Sequence, residues 1–204
     1  MKQLLLDIQP AATPTLDNFV IGRNEEAIDS LRRALQGDDT VRFLYFWGEA
    51  GSGKTHLINA THQLNPEAMC LDDVHTLSEA AQIELFNAYN DIRSQSSKVL
   101  VVTGNAAPTQ MGLRDDLATR LAWGLTYQLQ PLSDEEKALA LMSHAEARGM
   151  RLPTDVIDYC LRYLRRDLPT LISTVNALDE WSLTTKKPVT VPLLRQLLQP
   201  QLNS

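Results

Sequence analysis

The sequence predicts an α/β core whose parallel sheet is organised around a phosphate-binding loop, followed by a small all-helical domain. Three observations carry this. Gly48-Glu49-Ala50-Gly51-Ser52-Gly53-Lys54-Thr55 matches the P-loop pattern G-x-x-x-x-G-K-[ST]. A β-branched and aromatic run, Val41 to Trp47, precedes it and a helical run, His56 to Leu64, follows, which is the strand–loop–helix order that gives the motif its meaning. Beyond Pro131, every segment reads as helix.

In chain order, Met1 to Pro14 is a leader. Its apolar stretch Gln3-Leu4-Leu5-Leu6-Asp7-Ile8 is followed by Pro10 and Pro14, which favour an extended path. This stretch reads either as an edge strand or as a peptide that docks an apolar groove on a partner. A helix is expected from about Asn24 to Gln36, with Ala27, Ile28, Leu31, Ala34 and Leu35 on its apolar face and Gly37 ending it.

In the P-loop, glycine lets successive backbone N–H groups turn toward phosphate oxygens, and the helix that follows presents its positive end to them. Gly48, Gly51, Ser52, Gly53, Lys54, Thr55 and His56 are the expected nucleotide contacts, with Lys54 as a point charge. The Thr55 hydroxyl is the expected Mg²⁺ ligand.

The next strand, Ala68 to Asp73, ends in two carboxylates. After a P-loop this reads as Walker B, with Asp72 on Mg²⁺ and Asp73 where an attacking water needs a base; a helix N-cap is the alternative. A helix from Ser78 to Arg93 is expected to bury Ile83, Leu85, Phe86 and Tyr89. The fully apolar strand Lys98 to Thr103 leads to Asn105, either a γ-phosphate contact or a plain turn asparagine. A helix from Leu113 to Trp123 carries Arg114 and Arg120, and Leu125 to Leu129 alternates like a strand. The capping box Ser133-Asp134-Glu135-Glu136 opens the helical domain; further helices start near Pro153, Asp167 and Thr190.

A length of 204 residues with 44% hydrophobic and 22% charged residues describes a globular chain with either one sizeable core or a core domain plus a small satellite. No apolar run reaches membrane-spanning length and no secretory leader is recognisable. Cys70 and Cys160 lie far apart without metal-ligand spacing, which reads as reduced cytoplasmic thiols. A net charge of −6 argues against a stand-alone DNA binder. The arginines at 148, 151, 162, 165 and 166 read as solvated helix faces, with a DNA-binding scaffold as the weaker alternative.

P-loop, Walker B, polar strand end, helix-borne arginine and trailing helices follow the AAA+ order. Phe19-Val20-Ile21-Gly22, Gly53-Lys54-Thr55-His56-Leu57, Leu71-Asp72-Asp73-Val74 and Arg120-Leu121-Ala122-Trp123-Gly124-Leu125 resemble the AAA+ core of the bacterial initiator DnaA. Pro131-Leu132-Ser133-Asp134-Glu135-Glu136-Lys137 is similar to the Hda family, the DnaA-homologous regulators that inactivate the initiator.

The resemblance implies a leader over 1–14, an AAA+ core over 15–130 and a helical lid over 131–204. It adds Ile21 and Gly22 to the nucleotide-binding residues and implies ATP or ADP with Mg²⁺ as ligands. Gln3, Leu4, Leu6 and Ile8 become the anchors of a peptide for the DNA polymerase sliding clamp (its β subunit), so that DNA is met indirectly. Arg120 matches the family's arginine finger, acting in trans on ATP-bound DnaA; a salt-bridged arginine is the alternative role, and Arg114 the fallback finger. The implied location is cytoplasmic, at the nucleoid through the clamp, and a homo-oligomer stays open.

DnaA carries a helix-turn-helix domain beyond the point matching Ser204, and a long segment where this chain has only Asn65-Pro66-Glu67 between P-loop helix and Walker B. The expectation is therefore a regulator with a narrowed sheet of four strands. Pro169 occupies the usual position of the lid's sensor arginine, which makes robust ATPase activity of the chain alone the weaker expectation. A DnaA-like ATPase acting as loader or remodelling subunit is the alternative function.

Overall fold

In a computed structural model of the chain, residues 13–95 and 98–199 are described. The leader anchors Gln3, Leu4, Leu6 and Ile8 lie outside the described residues. The chain divides at Pro131/Leu132 into two compact units.

The first unit, Pro14–Pro131, is built on a four-stranded parallel sheet. Its elements are α1 (Glu25–Leu35), β1 (Phe43–Trp47), α2 (Lys54–Leu64), β2 (Met69–Leu71), α3 (Glu79–Gln95), β3 (Leu100–Gly104), α4 (Asp115–Trp123) and β4 (Leu125–Gln128). The spatial order is β2-β3-β1-β4, the narrowed sheet expected from the short link between α2 and β2. In register, Tyr45 of β1 faces Val102 of β3 and Thr126 of β4. The edges are short, three residues in β2 and four in β4, which leaves little unpaired backbone to recruit another strand.

The two central strands are apolar on both faces because helices cover both. Leu44, Phe46 and Val101 pack with Ile28 and Leu31 of α1 and with Leu57 and Ala60 of α2. Tyr45, Leu100 and Val102 point the other way, onto Leu85, Tyr89 and Ile92 of α3 and Leu117 and Leu121 of α4. Ile83, expected in this core, is 41% exposed. At 100° per residue it stands about 200° around the helix from Leu85, so α3 cannot bury both against the sheet.

Gly104 closes β3 where side chains crowd in: a Cβ there would collide with the Tyr45 hydroxyl and come within 2.8 Å of the Met111 sulfur. The hydroxyl is fixed by donating to the Ala106 carbonyl at 2.8 Å, and burial pushes its pKa far up. Gly104→Ala is expected to destabilise the protein by about 1–3 kcal/mol through overpacking. The check is a fall in denaturant midpoint with an unchanged slope.

The second unit, from Leu132 onward, is all-helical: α5 (Asp134–Ala147), α6 (Thr154–Tyr163), α7 (Leu168–Thr185) and α8 (Val191–Leu198). The Ser133 capping box is complete, with Glu136 N–H on the Ser133 hydroxyl at 3.2 Å and Ser133 N–H on the Glu136 carboxylate at 2.6 Å. Asp167 and Thr190 cap α7 and α8, each with proline tolerated in the first turn. Leu141, Ile157, Leu171, Val175, Leu178 and Leu194 form the core of this unit. Among the described residues, no helix is long and apolar enough to cross a membrane.

Candidate functional site

The strand order fixes where a ligand can lie. The chain passes from β1 past β3 to β2, and later from β3 across β1 to β4, so the crevice opens at the C-terminal ends of β1 and β3. Gly48 to Gly53 leaves β1 there and runs into α2. Gly51 and Gly53 hold φ of 83° and 98°, conformations glycine adopts without penalty. A Cβ on Gly53 would also come within 2.6 Å of the Phe19 ring. Phe19 meets His56 edge-on at 5.3 Å, and His56 Nε2 lies 2.8 Å from the Thr15 carbonyl. The segment before α1 is thus clamped against the start of the P-loop helix.

Ile21 packs at the edge of the core, and Gly22 turns with φ 52°. Asn24 holds both in place. Its side-chain amide donates to the carbonyls of Ile21 (3.1 Å) and Gln130 (3.0 Å), and its Oδ1 accepts from Gln130 N–H at 2.7 Å. Sequence reading assigned Asn24 only to the helix start. The side chain makes no cap and instead stitches two distant segments, which no local pattern announces.

Helix α2 begins without a side-chain cap and without an acidic residue in its first turn, so its first N–H groups and positive end are open to an anion. Ser52 is 4% exposed, and its hydroxyl has no partner among the described residues. Lys54 Nζ donates to the carbonyls of Gly48 (2.8 Å) and Glu49 (3.0 Å), which places the ammonium across the mouth of the loop. A buried hydroxyl without a partner, a capless helix start and a positioned cation fit a nucleoside phosphate.

Thr55 and Asp72 meet: the hydroxyl donates to the carboxylate at 2.6 Å. The other oxygen of Asp72 accepts from Thr103, a fully buried strand-end hydroxyl. Thr103 also accepts from the Asp73 N–H at 2.9 Å. It is the site residue that sequence reading passed over, and the available signal was a threonine closing an otherwise apolar strand. Asn105 lies one residue beyond Gly104 and is exposed. Asp73 sits in the left-handed region (φ 51°, ψ 53°), held by its carbonyl, which accepts from Thr76 N–H at 2.9 Å and Thr76 Oγ1 at 2.8 Å. Its carboxylate is half exposed, 3.9 Å from His75 Nδ1.

The Thr55–Asp72 pair offers the hard oxygens Mg²⁺ prefers. Among the described residues, no group of three His, Cys, Asp or Glu side chains could hold a metal. Phosphate and water oxygens would have to complete the shell, as is usual for this ion.

Arg120 is half-buried on α4. Its guanidinium carbon lies 4.4 Å from the Trp123 ring centre and 5.9 Å from that of Phe86. Arg114 has a different fate, bonding Asp116 through two nitrogens (3.2 and 3.0 Å) and Glu79 at 3.4 Å. Those bonds hold the Asp116 carboxyl below the usual carboxylate range. In the helical unit, Pro169 stands in the first turn of α7, Arg165 pairs with Asp167 at 3.3 Å, and Arg166 pairs with Asp134 at 3.6 Å.

A parallel P-loop sheet, an aspartate pair bonded to the P-loop threonine and a helical second unit make up the α/β AAA+ fold. Residues 134–198 match the family model described as the Hda lid domain. The chain is similar to domain III of the replication initiation protein DnaA from Thermotoga maritima, with 21% identity and a TM-score of 0.72 over 92% of this chain and 96% of that one. It is similar to AMPPCP-bound DnaA from Aquifex aeolicus, with 20% identity and a TM-score of 0.69 over 82% of this chain and 65% of that one. A RuvB P216G mutant from Thermotoga maritima matches at 15% identity and a TM-score of 0.65, over 91% and 72% of the respective chains. At such identities the structural likeness is one of fold. The second unit thus matches the Hda lid over residues 134–198, and the chain as a whole shares its fold with DnaA domain III.

Proposed function

We propose that this protein is a nucleotide-bound regulator of chromosome replication initiation, which stimulates hydrolysis of ATP held by DnaA by delivering Arg120 in trans. The observation that carries the reading is the contrast between two arginines near one helix. Arg114 spends its donors on Asp116 and Glu79. Arg120 is held over aromatic rings, and no carboxylate among the described residues is paired with it. A guanidinium brought to a neighbouring subunit's triphosphate neutralises charge that builds on the transferring phosphoryl group.

The chain's own pocket binds ATP or ADP through Gly48, Gly51, Ser52, Gly53, Lys54, Thr55 and His56, with Ile21 and Gly22 beside them. Thr55 and Asp72 hold the nucleotide's Mg²⁺. Bound nucleotide would supply the negative charge that these groups lack and fix the pose in which Arg120 is presented. The residues divide into a leader over 1–14, a core over 15–130 and a lid over 131–204. Gln3, Leu4, Leu6 and Ile8 tether the protein to the sliding clamp, so that clamp-loaded DNA in the cytoplasm localises it by raising its effective concentration.

The deciding experiment measures hydrolysis of DnaA-bound ATP on clamp-loaded DNA, with and without this protein. Stimulation is expected, and its absence would sink the reading. Joint replacement Gln3→Ala and Leu4→Ala is expected to abolish retention on clamp-coated beads while leaving the thermal midpoint unchanged. Retention equal to that of the unaltered protein would remove the tether from the proposal.

A second reading, an ATPase in its own right, is favoured by Asp73 beside the Asp72–Thr103 pair. Steady-state turnover by the protein alone separates the two. Turnover comparable to the DnaA-dependent rate would favour this second reading, whereas Pro169 in place of a lid arginine favours the first.

A further inference from the structure

Helices α3 and α4 lie side by side, and the surface they share changes character along its length. On α3, Gln82, Phe86, Tyr89 and Arg93 recur at helical spacing; on α4, Asp116, Arg120 and Trp123 do the same. One end is closed by polar pairs: Arg114 N–H donates to Gln82 at 2.9 Å, and its guanidinium binds Asp116 and Glu79. The other end is open. Trp123 is 62% exposed, with Arg120 4.4 Å and Arg93 5.8 Å from its ring centre. Among the described residues, no carboxylate pairs with Arg93 or Arg120. Burial pushes the Tyr89 phenol up, while Arg120, Arg93 and Arg42 each pull it back, so positive charge converges on this end of the shared surface.

The exposed Trp123 indole has two guanidinium groups, those of Arg120 and Arg93, as neighbours. Here it supplies one service that an acidic partner would not. A guanidinium stacked on a ring is held by its flat face, and its N–H donors, which point outward in the plane, stay available. A carboxylate would hold the same arginine by consuming those donors, as happens to Arg114. Stacking also removes beforehand part of the rotamer freedom that a solvated arginine loses on engaging a ligand.

We propose that Trp123 is the positioning residue of Arg120, and that Arg93 is the second cation of the same face, a pair matched to the magnesium triphosphate of a partner AAA+ subunit. This rests on the trans-acting reading of Arg120 given above. Arg93 adds to the field that draws a multiply charged anion toward Arg120, an effect that salt screens.

The test follows hydrolysis of DnaA-bound ATP on clamp-loaded DNA while the concentration of this protein is varied. It reads the maximal stimulated rate and the half-stimulating concentration separately. Trp123→Leu is expected to lower the maximal rate about tenfold, the value of one well-formed cation–π contact, with a smaller shift in half-stimulating concentration. Trp123→Phe, which keeps a ring, is expected to recover most of that loss. Arg93→Gln is expected to raise the half-stimulating concentration at low salt and to lose that effect at high salt. Should Trp123→Leu lower the thermal midpoint, Trp123→Gln takes its place with the same expectation.

Arg120→Ala is the control that separates the two claims. Loss of stimulation in Arg120→Ala with full stimulation in Trp123→Leu would overturn the platform alone. Trp123→Phe as poor as Trp123→Leu would overturn it too, because bulk rather than the ring would then be missing. An Arg93→Gln response independent of salt would remove Arg93. Full stimulation by Arg120→Ala would overturn the reading on which the proposal stands.

Discussion

Replacing Arg120 by alanine is expected to cut the stimulation of DnaA-bound ATP hydrolysis by about 10³-fold or more, the range over which arginine fingers act. The fold has little reason to respond. The side chain is half-buried against the Phe86 and Trp123 rings, and the helix beneath is anchored by Leu117 and Leu121. Nucleotide affinity, thermal midpoint and clamp retention should therefore match the unaltered protein. Arg120→Lys keeps one charge but loses the flat fork, and is expected to recover only a small part of the rate. The measurement is single-turnover hydrolysis at saturating regulator. A rate in Arg120→Ala within threefold of the unaltered protein, about 0.7 kcal/mol of barrier, would dismiss the finger.

The second large effect concerns the chain's own pocket. Lys54→Ala removes the ammonium that lies on the Gly48 and Glu49 carbonyls. Charge-assisted hydrogen bonds contribute about 1.5–3 kcal/mol each, so ADP affinity is expected to fall by roughly ten- to a hundredfold. At a free ADP concentration a hundred times the original dissociation constant, ligand stabilisation of the unaltered protein is about 2.7 kcal/mol. The variant should keep only a fraction of that, seen as a collapsed ADP-dependent rise in thermal midpoint. An undiminished rise would take Lys54 out of the binding site.

Much of the first unit was legible because its signals are local. The P-loop states its own conformation, Gly51 and Gly53 require left-handed backbone, and the apolar runs at β1 and β3 announce buried parallel strands. The four-residue link between α2 and β2 announced a narrow sheet, since it has no room for another strand.

What was not legible depends on pairs far apart in sequence. Asp116, two residues from Arg114, is a local partner, but the second tie comes from Glu79, 35 positions away on another helix. Thr103 is separated from Asp72 by 31 positions, and Asn24 from Gln130 by 106. Ile83 departs from expectation for a local reason: it does not share a helix face with Leu85 and Tyr89, which α3 buries. Trp123 was legible as a residue of a family-like word and not as a support, because its role lies in two cations that the fold brings to it.

The abbreviated strands at either side of the sheet also bear on how this protein meets others. Main-chain addition is indifferent to most side chains and hard to undo. With three residues at one margin and four at the other, that mode of attachment has almost no footing. Under the proposed reading, recognition of another AAA+ subunit falls instead to helix surfaces, where each contact depends on particular residues and can let go. For a protein proposed to act on an initiator and then move to the next, detachment is as necessary as arrival, and the pruned sheet favours it.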